Sequence, residues 1–375
     1  MVQLSTPYYS YDMKLLGDTL SSINECVEGM PYRVHYAVKA NCNPVLLKAI
    51  AARGLGADVV SGGEVKLALE CGFPAESIVF SGVGKSDDEI RLALTAGIGC
   101  INVESEAELD IISEIAAELG VKARIALRIN PDIEAHTHKY ITTGLEENKF
   151  GISLSNMDLA VATAVANPNV ILQGLHFHIG SQITINEPFA LLCEKVKKII
   201  DDFSKKGIEF SYIDVGGGLG IDYEHPTENP IPDFKSYFDT FKANLPVKPG
   251  QTVHFELGRA IVAQCGTLVT KVIYIKESDT KKFVVLDAGM NALIRPALYQ
   301  AYHKIENITS KAEETAVYDV VGPICESADV FGENVTLPIT RRGDIVVIRS
   351  VGAYGESMAS TYNSRPIPAS EYTSL

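Results

Sequence analysis

The sequence contains no apolar stretch approaching the ~20 residues that a membrane-spanning helix requires, so nothing in it predicts a membrane protein. Its N-terminus lacks a basic segment followed by an apolar core, and we therefore expect no secretory signal peptide. The seven cysteines form no Cys-x-x-Cys pair. Their odd number favours reduced thiols and a cytoplasmic protein over a disulfide framework.

Basic residues are comparatively scarce, since 33 Lys and Arg face 47 Asp and Glu and leave a net charge of −14. Binding to nucleic acid requires clustered Lys and Arg that neutralise phosphates, so we expect no nucleic-acid partner. An anionic substrate would need local arginines to hold it. With 375 residues, 46% of them apolar, the chain is an ordinary globular protein that is long enough for two domains.

Eight apolar strand candidates run through the first two-thirds of the chain, and helical patterns lie between most of them. This alternation predicts an α/β protein with a parallel sheet, and eight such units are the count of a (β/α)8 TIM-type barrel. An open doubly wound sheet is the alternative. The predicted strands are 33–38, 57–60, 78–81, 99–103, 123–129, 172–177, 211–215 and 252–256. The predicted helices are 44–53, 63–71, 86–96, 104–119, 155–166, 187–206 and 233–244.

After about residue 262 the pattern changes to strands without long intervening helices. We therefore predict two domains: a barrel over 29–262, and a β-rich, sandwich-like or barrel-like domain formed by 1–28 and 263–375. The segment from Asp12 to Val27 is predicted to form a helix that precedes the barrel. The predicted strands of the second domain are 263–276, 282–288, 315–321, 335–339 and 344–350.

Lys39 lies at the end of the first predicted barrel strand, just before a helical pattern. The carboxyl ends of barrel strands form the face on which such proteins build their sites. Lysine is the side chain that forms a Schiff base with a carbonyl, including that of pyridoxal phosphate. On local spacing alone, a solvated loop lysine would be the ordinary interpretation.

Other polar residues follow later strands and would face the same mouth of the barrel: His178 after the sixth strand, Gly216–Gly218 after the seventh, and Glu256 with Gly258 and Arg259 at the eighth. Glycines let backbone N–H groups approach a phosphate, and arginine adds a fixed cation. A glutamate there could keep a pyridine nitrogen protonated, which makes the ring an electron sink. The imidazole could lie flat on such a ring.

Competing interpretations of these residues are weaker. The glycine run is not Gly-x-Gly-x-x-Gly and no Gly-Lys-Ser/Thr follows it, which argues against a nucleotide loop. The pairs His136/His138 and His176/His178 invite a metal site, but no partner at the usual spacing accompanies them, and we predict no metal. A lone Cys325 is typically a small buried residue, whereas its Gly-Pro and Glu-Ser neighbours indicate a turn.

Taken together, these motifs resemble those of the pyridoxal-phosphate-dependent decarboxylases with the alanine-racemase-like barrel fold, and among them the diaminopimelate decarboxylases. The similarity covers nearly the whole chain. The motifs are Tyr36-Ala37-Val38-Lys39-Ala40-Asn41, His136-Thr137-His138-Lys139-Tyr140 with Lys149-Phe150-Gly151, His178-Ile179-Gly180-Ser181-Gln182, Gly216-Gly217-Gly218, Glu256-Leu257-Gly258-Arg259, Arg295-Pro296-Ala297-Leu298-Tyr299, Gly322-Pro323-Ile324-Cys325-Glu326-Ser327 and Gly352-Ala353-Tyr354-Gly355.

The resemblance implies decarboxylation of meso-2,6-diaminopimelate to L-lysine and CO2, the last step of lysine biosynthesis, by a cytoplasmic homodimer with shared active sites. The cofactor would be pyridoxal 5'-phosphate and the ligand a small dicarboxylic diamino acid. As catalytic residues it implies the Schiff-base Lys39, a stacking His178, Glu256 on the pyridine nitrogen, and Cys325 as a proton donor from the second subunit. It places Ser181, Gly216, Gly217, Gly218, Gly258, Arg259 and Tyr354 around the cofactor. It assigns Arg259, Arg295, Tyr299, Glu326 and Tyr354 to the substrate.

Two departures from the family pattern stand out: Leu257 replaces a usual proline, and Glu356 occupies a usually apolar position. A carboxylate near a phosphate site would be unfavourable through like-charge repulsion. Three alternatives stay open at the level of sequence. They are a related ornithine, arginine or carboxynorspermidine decarboxylase, an amino-acid racemase, and a non-catalytic cofactor-binding homologue.

Overall fold

The computed structural model describes residues 5–133 and 149–373, and it divides into two compact units. None of the helices in these described ranges is long and apolar enough to span a membrane. We refer to the two units as the barrel unit and the sheet unit. The barrel unit comprises Leu20–Gly220 and Asp233–Gly258, and the sheet unit comprises Met1–Thr19, Ile221–Pro232 and Arg259–Leu375.

The predicted domain limits, 29–262 for one domain and 1–28 with 263–375 for the other, stay a prediction. Whether a segment is a domain depends on whether it folds by itself, and compactness alone does not establish that.

The first described elements are strand β1 (Tyr8–Asp12) and helix α1 (Met13–Val27). The Asp12 carboxylate accepts a hydrogen bond from the backbone N of Leu15 at 2.9 Å, which satisfies one of the free N–H groups of the first turn. The predicted helix is confirmed to within one residue. Strand β1 was not predicted.

Eight parallel strands form a closed barrel, which confirms the predicted (β/α)8 fold over the open doubly wound sheet. The first and last strands close it, with Tyr36 paired to Leu257. Most of the strand residues are buried, as expected where helices cover the outside and side chains fill the inside. The barrel strands are β2 (Tyr32–Ala37), β3 (Gly56–Val59), β4 (Ile78–Phe80), β5 (Cys100–Val103), β6 (Ala123–Arg128), β7 (Val170–His176), β8 (Tyr212–Asp214) and β9 (Thr252–Leu257).

The helices between these strands follow the predicted pattern, and local sequence signals set their ends. At the start of helix α4 (Asp87–Ala96) the Glu89 carboxylate accepts a hydrogen bond from the backbone N of Ser86 at 3.0 Å, as in a capping box. Gly97 ends the same helix with φ +70°, where glycine has no steric penalty. The helices are α2 (Pro44–Ala51), α3 (Gly62–Glu70), α4 (Asp87–Ala96), α5 (Glu106–Leu119), α6 (Met157–Ala166), α7 (Glu187–Lys205) and α8 (Phe234–Asn244).

Aromatic packing fixes the last barrel strand against α8. The ring of Phe255 makes edge contacts with Phe238 and Phe241, each with ring centroids 5.0 Å apart. Because side chains alternate along a strand, this outward anchor directs the next residue, Glu256, to the inside of the barrel.

The sheet unit contains one eight-stranded, mostly antiparallel sheet, which confirms the predicted β-rich region. Besides β1, its strands are β10 (Gly266–Glu277), β11 (Lys282–Leu286), β12 (Ile305–Asn307), β13 (Thr315–Val321), β14 (Val330–Pro338), β15 (Ile345–Ile348) and β16 (Ala369–Thr373), and the short helices of this unit are α9 (Arg259–Val262) and α10 (Arg295–Tyr299). The central path of the sheet runs β12-β15-β10-β11-β13-β14, and β1 joins it through β10 while pairing with β16 on its other side. The short strands β12 and β16 were not predicted.

Candidate active site

Four of the predicted site residues follow directly on barrel strands. Lys39 lies two residues after β2, His178 two after β7, Gly216 two after β8, and Gly258 immediately after β9. The strands are parallel, so their carboxyl ends open at the same face of the barrel unit, where (β/α)8 enzymes bind their ligands.

Lys39 is held in a 3-10 turn, Val38–Ala40, whose two flanking residues are buried. Its side chain is 41% exposed, and Nζ lies 3.4 Å from Oδ2 of the fully buried Asp58. Burial and the nearby Glu256 raise the pKa of Asp58 to about 6, while Lys39 acts in the opposite direction. The amine is therefore accessible from solvent, and the carboxyl group of Asp58 lies beside it inside the barrel.

Glu256 accepts hydrogen bonds from three side chains of other strands and loops. Ser81 Oγ and Asn102 Nδ2 each donate to Oε1 at 3.2 Å. His176 Nε2 lies 3.1 Å from Oε2. Both carboxylate oxygens are thus held in a fixed orientation inside the barrel.

The three carboxyl groups of Glu256, Asp214 and Asp58 are buried within the barrel, and their pKa values are shifted in different directions. Burial favours a protonated Glu256, but the charge and hydrogen bond of His176 outweigh burial and lower the pKa of Glu256. Burial and repulsion by Glu256 raise the pKa of Asp214 to about 7. Burial opposes protonation of His176, yet the two carboxylates outweigh it and raise the pKa of this imidazole. Among Glu256, Asp58 and Asp214, Glu256 is therefore the strongest acid and stays ionised to the lowest pH.

The glycine segment after β8 is packed too closely for any side chain. A Cβ on Gly217 would lie 1.9 Å from the carbonyl oxygen of Glu256, and Gly216 has φ +69°. The backbone N of Gly217 donates to Nδ1 of the half-buried His178 at 3.2 Å, so this ring nitrogen acts as the acceptor. Burial, reinforced by Arg128, keeps the pKa of His178 well below its usual range, and the ring is neutral.

Ser181 lies in the loop after β7, next to this glycine segment. Ile183 N donates to the carbonyl oxygen of Gly218, and Gly220 N donates to that of Ile183, each at 2.9 Å. These bonds join the two loops that were predicted to hold a phosphate.

Gly258 explains how β9 approaches the turn that carries Lys39. A Cβ on Gly258 would lie 3.1 Å from the Cβ atoms of both Ala37 and Ala40. Leu257, which replaces the family's proline, is buried and pairs with Tyr36 within the sheet. The departure at Leu257 therefore leaves the barrel pairing intact.

In the sheet unit, the buried Arg259 and Arg295 converge on one phenol. Nη1 of each guanidinium lies 2.6 Å from the hydroxyl of Tyr223. The ring of Tyr354 faces both arginines, at 5.0 Å from Cζ of Arg259 and 6.0 Å from Cζ of Arg295. Half-buried Tyr299 ends α10, the short helix that Arg295 begins. Sequence reasoning missed Tyr223, because no motif or spacing marks it.

Cys325 and Glu326 are exposed on a loop of the sheet unit. The backbone N of Cys325 donates to the Asn363 side chain at 2.9 Å. Buried Asp329 accepts hydrogen bonds from the backbone N of Ile324, the residue before the cysteine, and of Met290, each at 2.6 Å. The loop is thus fixed while its thiol and carboxylate stay at the surface.

Glu356 forms a hydrogen bond with a tyrosine of β1. Tyr11 Oη donates to Oε2 of Glu356 at 2.6 Å, and both residues belong to the sheet unit. This carboxylate therefore has a specific partner within its own unit.

The structure brings one of the His-x-His pairs next to carboxylates, which the sequence did not predict. Ligand atoms of His176, Asp214 and Glu256 lie within 4.8 Å of one another. The Asp214 oxygens, however, already accept hydrogen bonds from Tyr212 Oη at 2.7 Å and Gly216 N at 2.8 Å. We therefore interpret the cluster as a charged hydrogen-bond network. The other pair, His136/His138, lies outside the described residues.

Residues 16–263 match the family model described as "Pyridoxal-dependent decarboxylase, pyridoxal binding domain". This match spans well over half of the chain, and the fold and the barrel site agree with it. The protein therefore belongs to the class of pyridoxal-dependent decarboxylases.

The similar curated and solved proteins specify the family further. Diaminopimelate decarboxylase of Bacteroides thetaiotaomicron is 57% identical over 372 residues, which are 99% of this chain and 96% of the relative. The crystal structure of the Helicobacter pylori enzyme complexed with L-lysine has a TM-score of 0.94 at 43% identity and covers 99% of this chain and 92% of that chain. The M. jannaschii enzyme with L-lysine has a TM-score of 0.90 at 38% identity, covering 98% and 87%. The chain belongs to the diaminopimelate decarboxylase family, which confirms the resemblance stated from its motifs.

Proposed function

We propose that this protein decarboxylates meso-2,6-diaminopimelate to L-lysine and CO2 with pyridoxal 5'-phosphate, as the last step of lysine biosynthesis. The name of the 57% identical relative supports the reaction. The L-lysine complexes of two similar structures support an amino-acid ligand of this size. The observation that carries the proposal is the ionised Glu256 inside the barrel, on the strand that closes against the turn of Lys39.

The barrel residues fit the cofactor in both charge and shape. A carboxylate whose pKa is lowered by His176 is the acceptor that a protonated pyridine nitrogen requires. The glycine segment has no room for a Cβ at Gly217, and glycines of this kind let a loop backbone come close to a bound phosphate. A neutral His178 can lie against an aromatic ring without adding charge beside the ring nitrogen.

Bound pyridoxal phosphate supplies an electron sink for the electron pair that remains when CO2 leaves. Lys39 would contribute the amine that holds the cofactor's aldehyde carbon, and Glu256 would keep the proton on the ring nitrogen. Backbone and hydroxyl donors together with an arginine would hold the phosphate. Its proposed ligands are Ser181, Gly216, Gly217, Gly218, Gly258, Arg259 and Tyr354.

The arginines of the sheet unit suit the carboxylate that the substrate keeps. Among the described residues, Arg295 makes its hydrogen bonds to the side chains of Tyr223 and His303, and it forms no salt bridge there. A buried guanidinium in this state favours an anionic ligand, because burial of an unpaired charge is costly. Arg259, Tyr299 and Tyr354 are its proposed companions, and Glu326 is proposed to bind the distal ammonium.

We propose Cys325 as the group that protonates the carbon from which CO2 has left. Its exposure, like that of Glu326, fits delivery into the site of a second subunit in a homodimer. All seven cysteines are free thiols, which fits the cytoplasm as the compartment.

The dimer proposal has a direct test by complementation. We expect mixtures of inactive Lys39→Ala and inactive Cys325→Ala subunits to regain up to about a quarter of the native activity, because half of the heterodimers' sites are intact and only half of the molecules are heterodimers. Verified subunit exchange without any recovery would refute a donor that crosses the interface.

The reaction itself is tested with purified protein, pyridoxal phosphate and meso-diaminopimelate, with L-ornithine and L-arginine assayed in parallel. We expect CO2 and L-lysine from diaminopimelate and no CO2 from the other two. CO2 from ornithine or arginine instead would show a related decarboxylase, and cofactor binding without turnover would show a non-catalytic homologue.

Two lysine variants distinguish the specific role of Lys39 from the general effect of losing a positive charge. Lys39→Ala should abolish turnover and the visible absorption of the lysine-bound cofactor. Lys235 lies on α8 of the same unit and its side chain is 80% exposed, so Lys235→Ala should keep both the turnover and the visible absorption. Unchanged turnover in Lys39→Ala would contradict the proposed role of this amine.

A further inference from the structure

The hydroxyl of Tyr223 joins two buried arginines of the sheet unit, Arg259 and Arg295. It lies 2.6 Å from Nη1 of both Arg259 and Arg295, and the Tyr223 ring also faces both guanidiniums, with Cζ at 5.9 and 5.2 Å from its centroid. A phenol oxygen can accept two such hydrogen bonds while its own proton points away from both cations. Both arginines are therefore oriented by one oxygen atom.

The surroundings of Arg295 leave its positive charge uncompensated by any acid of the described residues. Its second partner is His303, whose Nε2 lies 3.4 Å from Nη1. The backbone carbonyl of Arg349 lies 2.9 Å from Nδ1 of His303. Burial, reinforced by Arg295, lowers the pKa of His303 to about 3, so this imidazole is neutral.

Tyrosine has a property here that an acidic residue would lack. An Asp or Glu between the arginines would neutralise them and compete with an anionic ligand, whereas a phenol orients them and leaves the charge in place. Burial opposes ionisation of the Tyr223 hydroxyl. The positive charges and hydrogen bonds of Arg259 and Arg295 outweigh this effect and lower the pKa of Tyr223, as expected for two cations that lie close to its oxygen.

We propose that Tyr223 is a positioning residue which fixes the guanidiniums of Arg259 and Arg295 and thereby sets selectivity for ligands that carry a second carboxylate. This inference rests on the proposed function, in which these arginines bind the carboxylate that the substrate retains. Tyr223 itself acts through the arginines and takes no part in the chemical step.

The test is Tyr223→Phe, which removes the oxygen and keeps the ring, studied as holoenzyme at saturating pyridoxal phosphate. We expect KM for meso-diaminopimelate to rise about tenfold with kcat within threefold of the native value, since binding of the retained carboxylate weakens while the reacting carbon is unaffected. L-lysine, which keeps that carboxylate, should bind about tenfold more weakly by calorimetry, and cadaverine, which lacks it, should bind as before.

Tyr274→Phe is the matched control. Tyr274 lies on β10 and is 61% exposed, and Cζ of Arg342 lies 5.7 Å from the centroid of its ring. This variant should keep the native preference for L-lysine over cadaverine. Equal weakening of both ligands by Tyr223→Phe, or a fall in kcat at constant KM, would overturn the inference.

A second variant and a binding measurement that is independent of turnover complete the test. Should Tyr223→Phe fail to fold, Tyr223→Leu is measured with the same two ligands, and an unchanged preference for L-lysine would overturn the inference. Calorimetry of L-lysine requires no turnover. A wild-type protein that does not decarboxylate diaminopimelate would therefore refute the proposed function, while the lysine and cadaverine data would still decide the role of Tyr223.

Discussion

Nε2 of His176 lies 3.1 Å from Oε2 of Glu256, and this contact makes Glu256 a stronger acid than the other two buried carboxyl groups, Asp58 and Asp214. Burial acts against ionisation of Glu256, Asp214 and Asp58 alike. Only for Glu256 is burial outweighed, because the imidazole both donates a hydrogen bond and contributes positive charge. The group proposed to hold the cofactor's ring nitrogen is thus kept ionised by a residue that we do not expect to touch the cofactor.

His176→Gln should therefore raise the pKa of Glu256, because the amide can still donate a hydrogen bond but carries no charge. We expect kcat to fall about tenfold at neutral pH and the acidic limb of its pH profile to move to higher pH. The profile is measured between about pH 5 and 9 with meso-diaminopimelate. His225→Gln, at a side chain that is 53% exposed, serves as the control and should match the native profile. An unshifted acidic limb in His176→Gln would show that the pair does not set this charge.

Gly217→Ala should damage the barrel, because its Cβ would lie 1.9 Å from the carbonyl oxygen of Glu256. The contact is with backbone, so relief requires the loop to move away from β9. We expect the unfolding free energy to fall by about 3 kcal/mol, together with weaker binding of pyridoxal phosphate. Urea unfolding and cofactor titration measure the two effects. Gly84→Ala, where a Cβ would meet nothing within 4 Å, should change neither, and equal behaviour of the two variants would contradict this account.

The stability of the protein should fall as the pH is lowered through the range in which His35 differs between its folded and unfolded states. His35 Nε2 lies 2.8 Å from Nδ1 of His254, and Nδ1 lies 3.1 Å from the carbonyl oxygen of Ser77. Burial lowers the pKa of His35 to about 4 from 6.5. Between these values the unfolded chain binds more protons than the folded one, so the unfolding free energy decreases with falling pH, by about 3 kcal/mol for this group alone at pH 4.

Urea unfolding of the native protein and of His35→Gln at pH 7.5, 6 and 5 checks this prediction. The native protein should lose stability more steeply than the variant over this range. Parallel curves for the two proteins would assign the acid sensitivity to other groups.

Glu356→Met, which restores the family's apolar residue, should destabilise the protein by about 1 kcal/mol. The reason is that Tyr11 Oη would lose the carboxylate to which it donates at 2.6 Å. Thermal or urea unfolding of Glu356→Met, Tyr11→Phe and the double variant measures the coupling, and the losses should be less than additive. A gain in turnover or stability from Glu356→Met would instead support the repulsion that the sequence alone suggested.

Local patterns were sufficient for the main elements of the fold. Period-2 and helical spacing identified all eight barrel strands and the seven helices between them, because burial on both faces leaves continuous apolar strands. The short strands β1, β12 and β16 were missed. Each has only three to five residues, and each gains its hydrogen bonds from distant partners, as β1 does from β10 and β16.

Motifs also indicated many residues of the candidate site, because glycines and a lysine that follow strands can be recognised in the sequence. The residues that orient the site residues through hydrogen bonds are not marked by any local motif. His176 and Asn102 reach Glu256 across 80 and 154 positions of sequence, and Arg295 reaches Tyr223 across 72.

The sequence by itself therefore determined the kinds of element, their order, and which chemical groups stand at the ends of the strands, because these depend on residues close together in the chain. Only the tertiary structure decided which buried carboxyl group is the strongest acid, which imidazoles are neutral, and which phenol holds the two arginines. Those properties depend on burial and on charges a few ångströms away in space, which come from strands and loops far apart in sequence.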